Sequence, residues 1–270
     1  MTVGWSTHGS RGGAGPTAPG PGRPPMNRCT GVTTLLLVCA AIFMLVLDTT
    51  VVVVALPAIQ RDLNARLSGL QWVIDAYTVV LGSLLLTAAT LGDRLGRARL
   101  FLIGICLFTG ASLACALAPT ALFLCLFRAL QGVGGAVLFG VAVPLITDAF
   151  VAGRRRDIAL GVFGAVSGSA LALGPLLGGY LTATLGWRAI FWVNVPIGLL
   201  VLLSYRRGLV RVHGVRLGRP DVWGTVLLTI FLSSALVACI EGGHSVGTVR
   251  RSSAASSWRL SPPGPSSASS

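Results

Sequence analysis

Seven long apolar stretches, set apart by short polar connections, pattern the chain at roughly 32–56, 70–91, 100–118, 121–147, 158–183, 188–205 and 222–241. Each is long enough to cross a hydrocarbon core as a helix, for which about 20 apolar residues suffice. The pattern predicts an all-α integral membrane protein. Pro57 is expected to close the first stretch, because the residue before a proline is pushed out of the helical region. Residues 1–30 are rich in Gly, Pro, Ser and Thr and read as a disordered, weakly basic tail. They do not read as a signal peptide, since the apolar run that follows is too long and no small-residue cleavage site stands out. Met26, just before that run, is an alternative start. Residues 206–221 form a basic loop. From Gly242 onward a Ser-, Pro- and Arg-rich tail reads as a disordered, truncated or frame-shifted end.

Composition supports the membrane reading. Charged residues make up 11% of the chain, against about 25% in an ordinary soluble domain. Gly is abundant, 35 of 270 residues, and in membranes it lets helix backbones approach closely. The net charge of +13 comes from Arg alone, since the chain has no Lys. The arginines cluster between apolar spans, which fits topology signalling rather than nucleic-acid binding. With a cytoplasmic N-terminus, fourteen arginines lie inside and only Arg61, Arg66 and Arg188 lie in the outer connections. Trp72, Trp187 and Trp223 sit near span ends, as interfacial anchors do. The six cysteines show no metal spacing and read as small buried hydrophobes.

Charges inside the spans are the candidate chemistry. Asp48 lies within the first apolar run, where a carboxylate costs several kcal/mol unless paired, hydrated or protonated. Either the helix end is shifted and Asp48 sits at the interface, or it is a functional acid facing a cavity. Mostly Val, Ala and Leu follow it before Pro57, which favours the second. Arg128 is the one arginine inside a span. At 1.5 Å per residue it lies roughly 11 Å from the outer end of the fourth span, and Asp48 about 13 Å from the outer end of the first. The two can therefore pair and offset part of each other's desolvation cost, with protonation as the release. Alternatively Arg128 snorkels to the surface.

Other polar and small residues carry weaker signals. The connection Gly92-Asp93-Arg94-Leu95-Gly96-Arg97 has glycines that permit a tight turn and an acid that can latch onto an arginine; an ordinary basic loop explains it equally well. The fifth span carries small residues at fours, Gly164 and Gly168, then Ala170, Gly174 and Gly178, with Pro175 among them. These are packing ridges with a kink, or packing alone. Asp75, near the outer end of the second span, faces a vestibule or interfacial water. Asn194 and Pro196 line a cavity or satisfy neighbouring backbone.

Together these segments resemble the major facilitator superfamily, in particular its fourteen-helix drug:proton antiporter branch. Leu47-Asp48-Thr49-Thr50 with Ala55-Leu56-Pro57 is similar to that branch's first-helix motif. Gly92-Asp93-Arg94-Leu95-Gly96-Arg97 is similar to the cytoplasmic loop motif. Arg128 with Gln131-Gly132 resembles the fourth-helix motif, and Gly174-Pro175-Leu176-Leu177-Gly178-Gly179 the fifth-helix antiporter motif. Trp187-Arg188, Phe191 and Asn194-Val195-Pro196-Ile197-Gly198 also fit. Val53, Ala89 and Ala170 depart from the usual residues, and the resemblance covers only the N-terminal half, roughly residues 32–241.

The resemblance implies a major facilitator-type six-helix bundle over 31–205, a 3+3 inverted repeat, followed by a seventh helix at 222–241. It implies proton-coupled efflux of a small amphipathic compound by alternating access across the cell membrane. Asp48 would be the protonatable site, with Arg128 as modulator and Asp75 beside them. Gly92, Asp93, Arg94, Gly96 and Arg97 would form the cytoplasmic latch, and Gly174, Pro175, Gly178 and Gly179 the flexing part of helix 5. The implied partners are lipid, protons, substrate and a missing C-terminal half. No cofactor or metal is implied, and no nucleophile–base pair or phosphate loop supports an enzyme. The other reading is a half-length remnant without transport of its own.

Overall fold

The computed structural model describes residues 28–206 together with Ser234. The expected seventh helix at 222–241 apart from Ser234, the expected tails apart from residues 28–30, which are the start of α1, and nearly all of the basic loop lie outside the described residues. Within them the chain is α-helical with no strand: α1 (Arg28–Leu63), α2 (Leu67–Leu95), α3 (Arg97–Ala116), α4 (Ala121–Ala149), α5 (Arg154–Leu185), α6 (Ala189–Trp192) and α7 (Asn194–Arg206). The first five are long and apolar enough to cross a membrane, and α6 with α7 makes a shorter apolar sixth segment.

Prolines act differently from what sequence alone suggests. Pro57 does not end the first helix, which runs on to Leu63. A proline inside a helix forfeits its own N–H and crowds the carbonyl four residues back, here that of Val53, and α1 tolerates both. The extra turn carries Arg61, whose Nε donates to the Pro57 carbonyl at 3.2 Å, and places Asp62 at the helix end. Pro196, in contrast, interrupts the sixth span. It has no N–H for the Trp192 carbonyl, and the helix divides at Val193, whose backbone (φ −61°, ψ −30°) stays helical. The two pieces therefore continue in nearly one line.

The helices form two interlocked triplets, α1–α3 and α4–α7. Each packs chiefly on the other: α4 lies against α2 and α3, while α1 lies against α5. Glycines on α4 make this possible. A Cβ at Gly132 would press on the Tyr77 carbonyl at 2.7 Å, and one at Gly134 on the Phe108 backbone nitrogen at 2.7 Å. Close backbone approach of this kind is how helices associate where lipid removes the hydrophobic drive. Two apolar clusters fill the bundle. One gathers Ile42, Met44, Ile105, Phe108, Leu138 and Leu145 toward the end that carries the N-terminus. The other gathers Val51, Ile59, Val73, Leu124 and Phe191 toward the opposite end. Five buried polar groups, Asp48, Ser112, Arg128, Gln131 and Asn194, lie along their boundary.

Candidate functional site

Asp48 is 3% exposed and Arg128 1% exposed, both inside the bundle. Asp48 is thus enclosed by α1, α4 and α7 rather than open to a cavity, and Arg128 does not snorkel to the surface. Arg128 Nη1 donates to Asp48 Oδ2 at 2.5 Å. The other carboxylate oxygen, Oδ1, accepts from Gln131 Nε2 at 3.1 Å and from Asn194 Nδ2 at 2.8 Å. Arg128 is itself held: Nε donates to the Val73 carbonyl at 3.3 Å, and its guanidinium lies 4.1 Å from the Tyr77 ring centre. Gln131 is fixed in orientation, because its Oε1 accepts from Arg128 Nη1 at 3.0 Å while its Nε2 faces Asp48. Ser112 of α3 supports Asn194, accepting from Nδ2 at 3.0 Å and donating to the Phe191 carbonyl at 3.0 Å. The buried charges are paired and hydrogen-bonded, the condition under which such a pair persists in a low-dielectric interior.

The fifth-helix motif meets α1 beside this cluster. Gly174 and Gly178 are buried; a Cβ at Gly174 would collide with Thr50, and one at Gly178 would touch Val51 at 3.1 Å. Pro175 is exposed, and a Cβ at Gly179 would meet open space. The ridge that packs is therefore Ala170-Gly174-Gly178. Gly164 and Gly168 have nothing within 4 Å of an added Cβ among the described residues.

At the end carrying the N-terminus, Arg97 bridges two carboxylates. It donates to Asp93 Oδ1 from Nε at 2.9 Å and from Nη2 at 2.6 Å, and from Nη1 to Asp148 Oδ2 at 2.8 Å. Gly96, at φ 96°, makes the turn into α3. Gly92 is not part of the turn. It lies buried within α2, where a Cβ would strike Val141 Cγ1 at 2.7 Å. Arg94 is half-buried and joins neither carboxylate.

A second clasp closes the opposite end. Arg188 Nη1 donates to Asp62 Oδ2 at 2.5 Å, and its Nη2 donates to the Ala118 carbonyl at 3.2 Å. Trp187 Nε1 donates to the same Asp62 oxygen at 2.9 Å, and the Arg188 guanidinium lies 4.3 Å from the Trp187 ring centre. Asp75 is half-buried near this end and does not join the Asp48 network. Sequence reasoning missed Asp62, Asp148, Ser112 and Tyr77. The signal for the first two was a lone acid in the last turn of an apolar helix.

A bundle of long apolar helices with a paired carboxylate at its centre and arginine clasps at its ends is that of a polytopic membrane protein. A family model described as the Major Facilitator Superfamily matches residues 38–250, and the chain belongs to that superfamily. It is 38% identical over 217 residues to the multidrug resistance protein Stp of Mycobacterium tuberculosis (strain CDC 1551 / Oshkosh), covering 80% of this chain and 40% of that protein. It is 47% identical over 172 residues to the puromycin resistance protein of Streptomyces alboniger, covering 64% of this chain and 34% of that one. Against the cephamycin export protein CmcT of Amycolatopsis lactamdurans it is 42% identical over 206 residues, 76% of this chain and 42% of that one. The chain thus spans about two fifths of the length of the curated relatives it matches.

Proposed function

We propose that this chain supplies the N-terminal half of a proton-coupled exporter of small amphipathic compounds, with its N-terminus in the cytoplasm. The observation that carries the reading is the buried Asp48–Arg128 pair, completed by Gln131 and Asn194 at the meeting of α1, α4 and α7. A carboxylate at membrane depth whose charge is balanced by one arginine is a two-state element: adding a proton neutralises it and releases the arginine. Asp48 is the proton carrier and Arg128 its counter-charge. Asp93, Arg97 and Asp148 are the cytoplasmic latch, and Gly174 and Gly178 let α5 move against α1. Lipid, protons, the exported compound and a complementary half are the partners. The names of the relatives, which include multidrug resistance and export proteins, support the same reading.

The test is uptake into inside-out vesicles carrying the chain together with the C-terminal half of a relative. Proton-driven accumulation of a fluorescent amphipathic cation that Asp48→Asn abolishes supports the proposal, and coupling retained in that variant overturns the assignment of Asp48.

A further inference from the structure

Among the described residues every group hydrogen-bonded to the Asp48 carboxylate is a donor: Arg128 Nη1 on Oδ2, and Gln131 Nε2 with Asn194 Nδ2 on Oδ1. This suits the ionised form, which only accepts. A protonated carboxyl carries an O–H that needs an acceptor, and a buried donor without one is costly. The cluster must therefore offer an acceptor when the proton arrives. The titratable groups around Asp48 are Arg128 of α4, Tyr77 of α2 and Cys115 of α3; α7 contributes the neutral Asn194, and α5 presents Gly174 and Gly178 to the next turn of α1.

The two neighbouring amides differ in their freedom to turn. Gln131 Oε1 already accepts from Arg128 Nη1 at 3.0 Å and lies 3.8 Å from Cys115 Sγ. Turning it would aim its NH₂ group at the guanidinium, donor against donor. Asn194 is not pinned in this way. Its Nδ2 serves both Asp48 Oδ1 and Ser112 Oγ, and the Ser112 hydroxyl now donates to the Phe191 carbonyl. A hydroxyl rotates to suit its partners. With the amide turned over, Asn194 Oδ1 would accept from the new Asp48 O–H and from the Ser112 O–H. The Phe191 carbonyl then gives up the Ser112 donor.

We propose that Asn194 is a positioning residue that reads the protonation state of Asp48: its side-chain amide turns over when Asp48 is protonated, with Ser112 as the hydroxyl that turns with it. One proton is added, on Asp48 Oδ1; Ser112 exchanges one acceptor for another, and no other covalent bond changes. Asn194 is the first residue of α7, at the break that Pro196 imposes, so the signal arrives at the least regular point of the sixth span. The inference rests on the proposed role of Asp48 as proton carrier.

The test uses the full chain in lipid nanodiscs and infrared difference spectra between alkaline and acidic buffer. The chain has only three asparagines, Asn27, Asn64 and Asn194, so asparagine labelled with ¹³C at the side-chain carbonyl reports few groups. In the wild type a carboxyl band that Asp48→Asn removes should appear on acidification together with a shift of one labelled amide band. Asn194→Leu should abolish the amide shift and move the carboxyl band to higher wavenumber, as for a more weakly bonded O–H. Ser112→Ala, a milder change, should keep the carboxyl band and diminish the amide shift. A carboxyl band with no amide shift, or one that Asn194→Leu and Ser112→Ala leave unaltered, overturns this inference and leaves Asp48 as carrier. The absence of any Asp48 band overturns the proton-carrier reading and this inference with it.

Discussion

Arg97 and Arg188 stand in matching settings at opposite ends of the bundle. Each follows a glycine of positive φ, Gly96 at 96° or Gly186 at 83°, where the chain turns into the third span of a triplet. Each pairs with an aspartate one residue from the end of the other triplet's first helix: Arg97 with Asp148 of α4, and Arg188 with Asp62 of α1. The packing repeats the exchange, with α2 on α4 and α5 on α1. This is the arrangement expected of an inverted repeat, in which an operation carrying α1–α3 onto α4–α7 carries one clasp onto the other.

The Asp62–Arg188 clasp should therefore close its end of the bundle over Cys115, a buried thiol near the end of α3. Asp62→Asn removes the shared acceptor of Arg188 and Trp187. Alkylation of Cys115 by a small maleimide, followed by mass spectrometry, should accelerate several-fold in Asp62→Asn and in Arg188→Leu. The exchanged pair Asp62→Arg with Arg188→Asp should return it part of the way. Equal rates in all four proteins would show that the clasp bears no load.

The clasp at the other end separates two arginines that lie three residues apart. Asp148→Asn leaves Arg97 with Asp93 alone, whereas Arg94 contacts neither carboxylate. Thermal unfolding in detergent should show a clear loss for Asp148→Asn and for Arg97→Gln, and almost none for Arg94→Gln. A loss at Arg94 equal to that at Arg97 would contradict the assignment.

The central pair makes an opposite kind of prediction, because it is fully buried. Removing one partner of such a pair strands the other and typically costs about 3–5 kcal/mol. Arg128→Met alone should destabilise the folded chain by about that amount. Combining it with Asp48→Asn removes the stranded charge and should recover most of the loss. Chemical unfolding of both single variants and the double variant gives the coupling, and additive losses would mean that the two side chains do not stabilise each other.

How much of this could be read from the sequence depended on how unusual each residue was in its surroundings. A single acid and a single arginine inside apolar runs stand out, and counting residues from the span ends puts Asp48 and Arg128 at one depth; in the structure they meet. Asp62 and Asp148 were hidden because an acid at the end of a span looks like an ordinary interfacial residue until the helix that opposes it is known. Ser112 was hidden for a related reason. A serine in an apolar helix commonly bonds its own backbone, as Ser83 and Ser167 do here, whereas Ser112 bonds across to α6 and α7. The prolines misled in two ways. The effect of a missing N–H depends on what surrounds the freed carbonyl, so Pro57 was absorbed while Pro196 divided a helix.

The fifth-helix motif offers a comparison within one helix. Gly174 faces Thr50 closely enough that any Cβ would collide with it, whereas Gly179 faces open space. Gly174→Ala forces α5 away from α1 or moves Thr50 out of its rotamer, and overpacking of this kind costs about 1–3 kcal/mol. Gly179→Ala meets no neighbour and gains helix propensity, up to about 1 kcal/mol. The two substitutions should thus shift thermal unfolding in opposite directions although they add the same methyl group. Thr50→Ala removes the hydroxyl that crowds Gly174, but not the Thr50 Cβ, so it should rescue Gly174→Ala only in part. On the proposed function the same pair bears on transport: Thr50 lies two residues from Asp48, so with the chain paired to a C-terminal half, displacing α5 there should lower the rate of export more than Gly179→Ala does. Matching unfolding temperatures and matching export rates for Gly174→Ala and Gly179→Ala would rule out a special role for the Gly174–Thr50 contact.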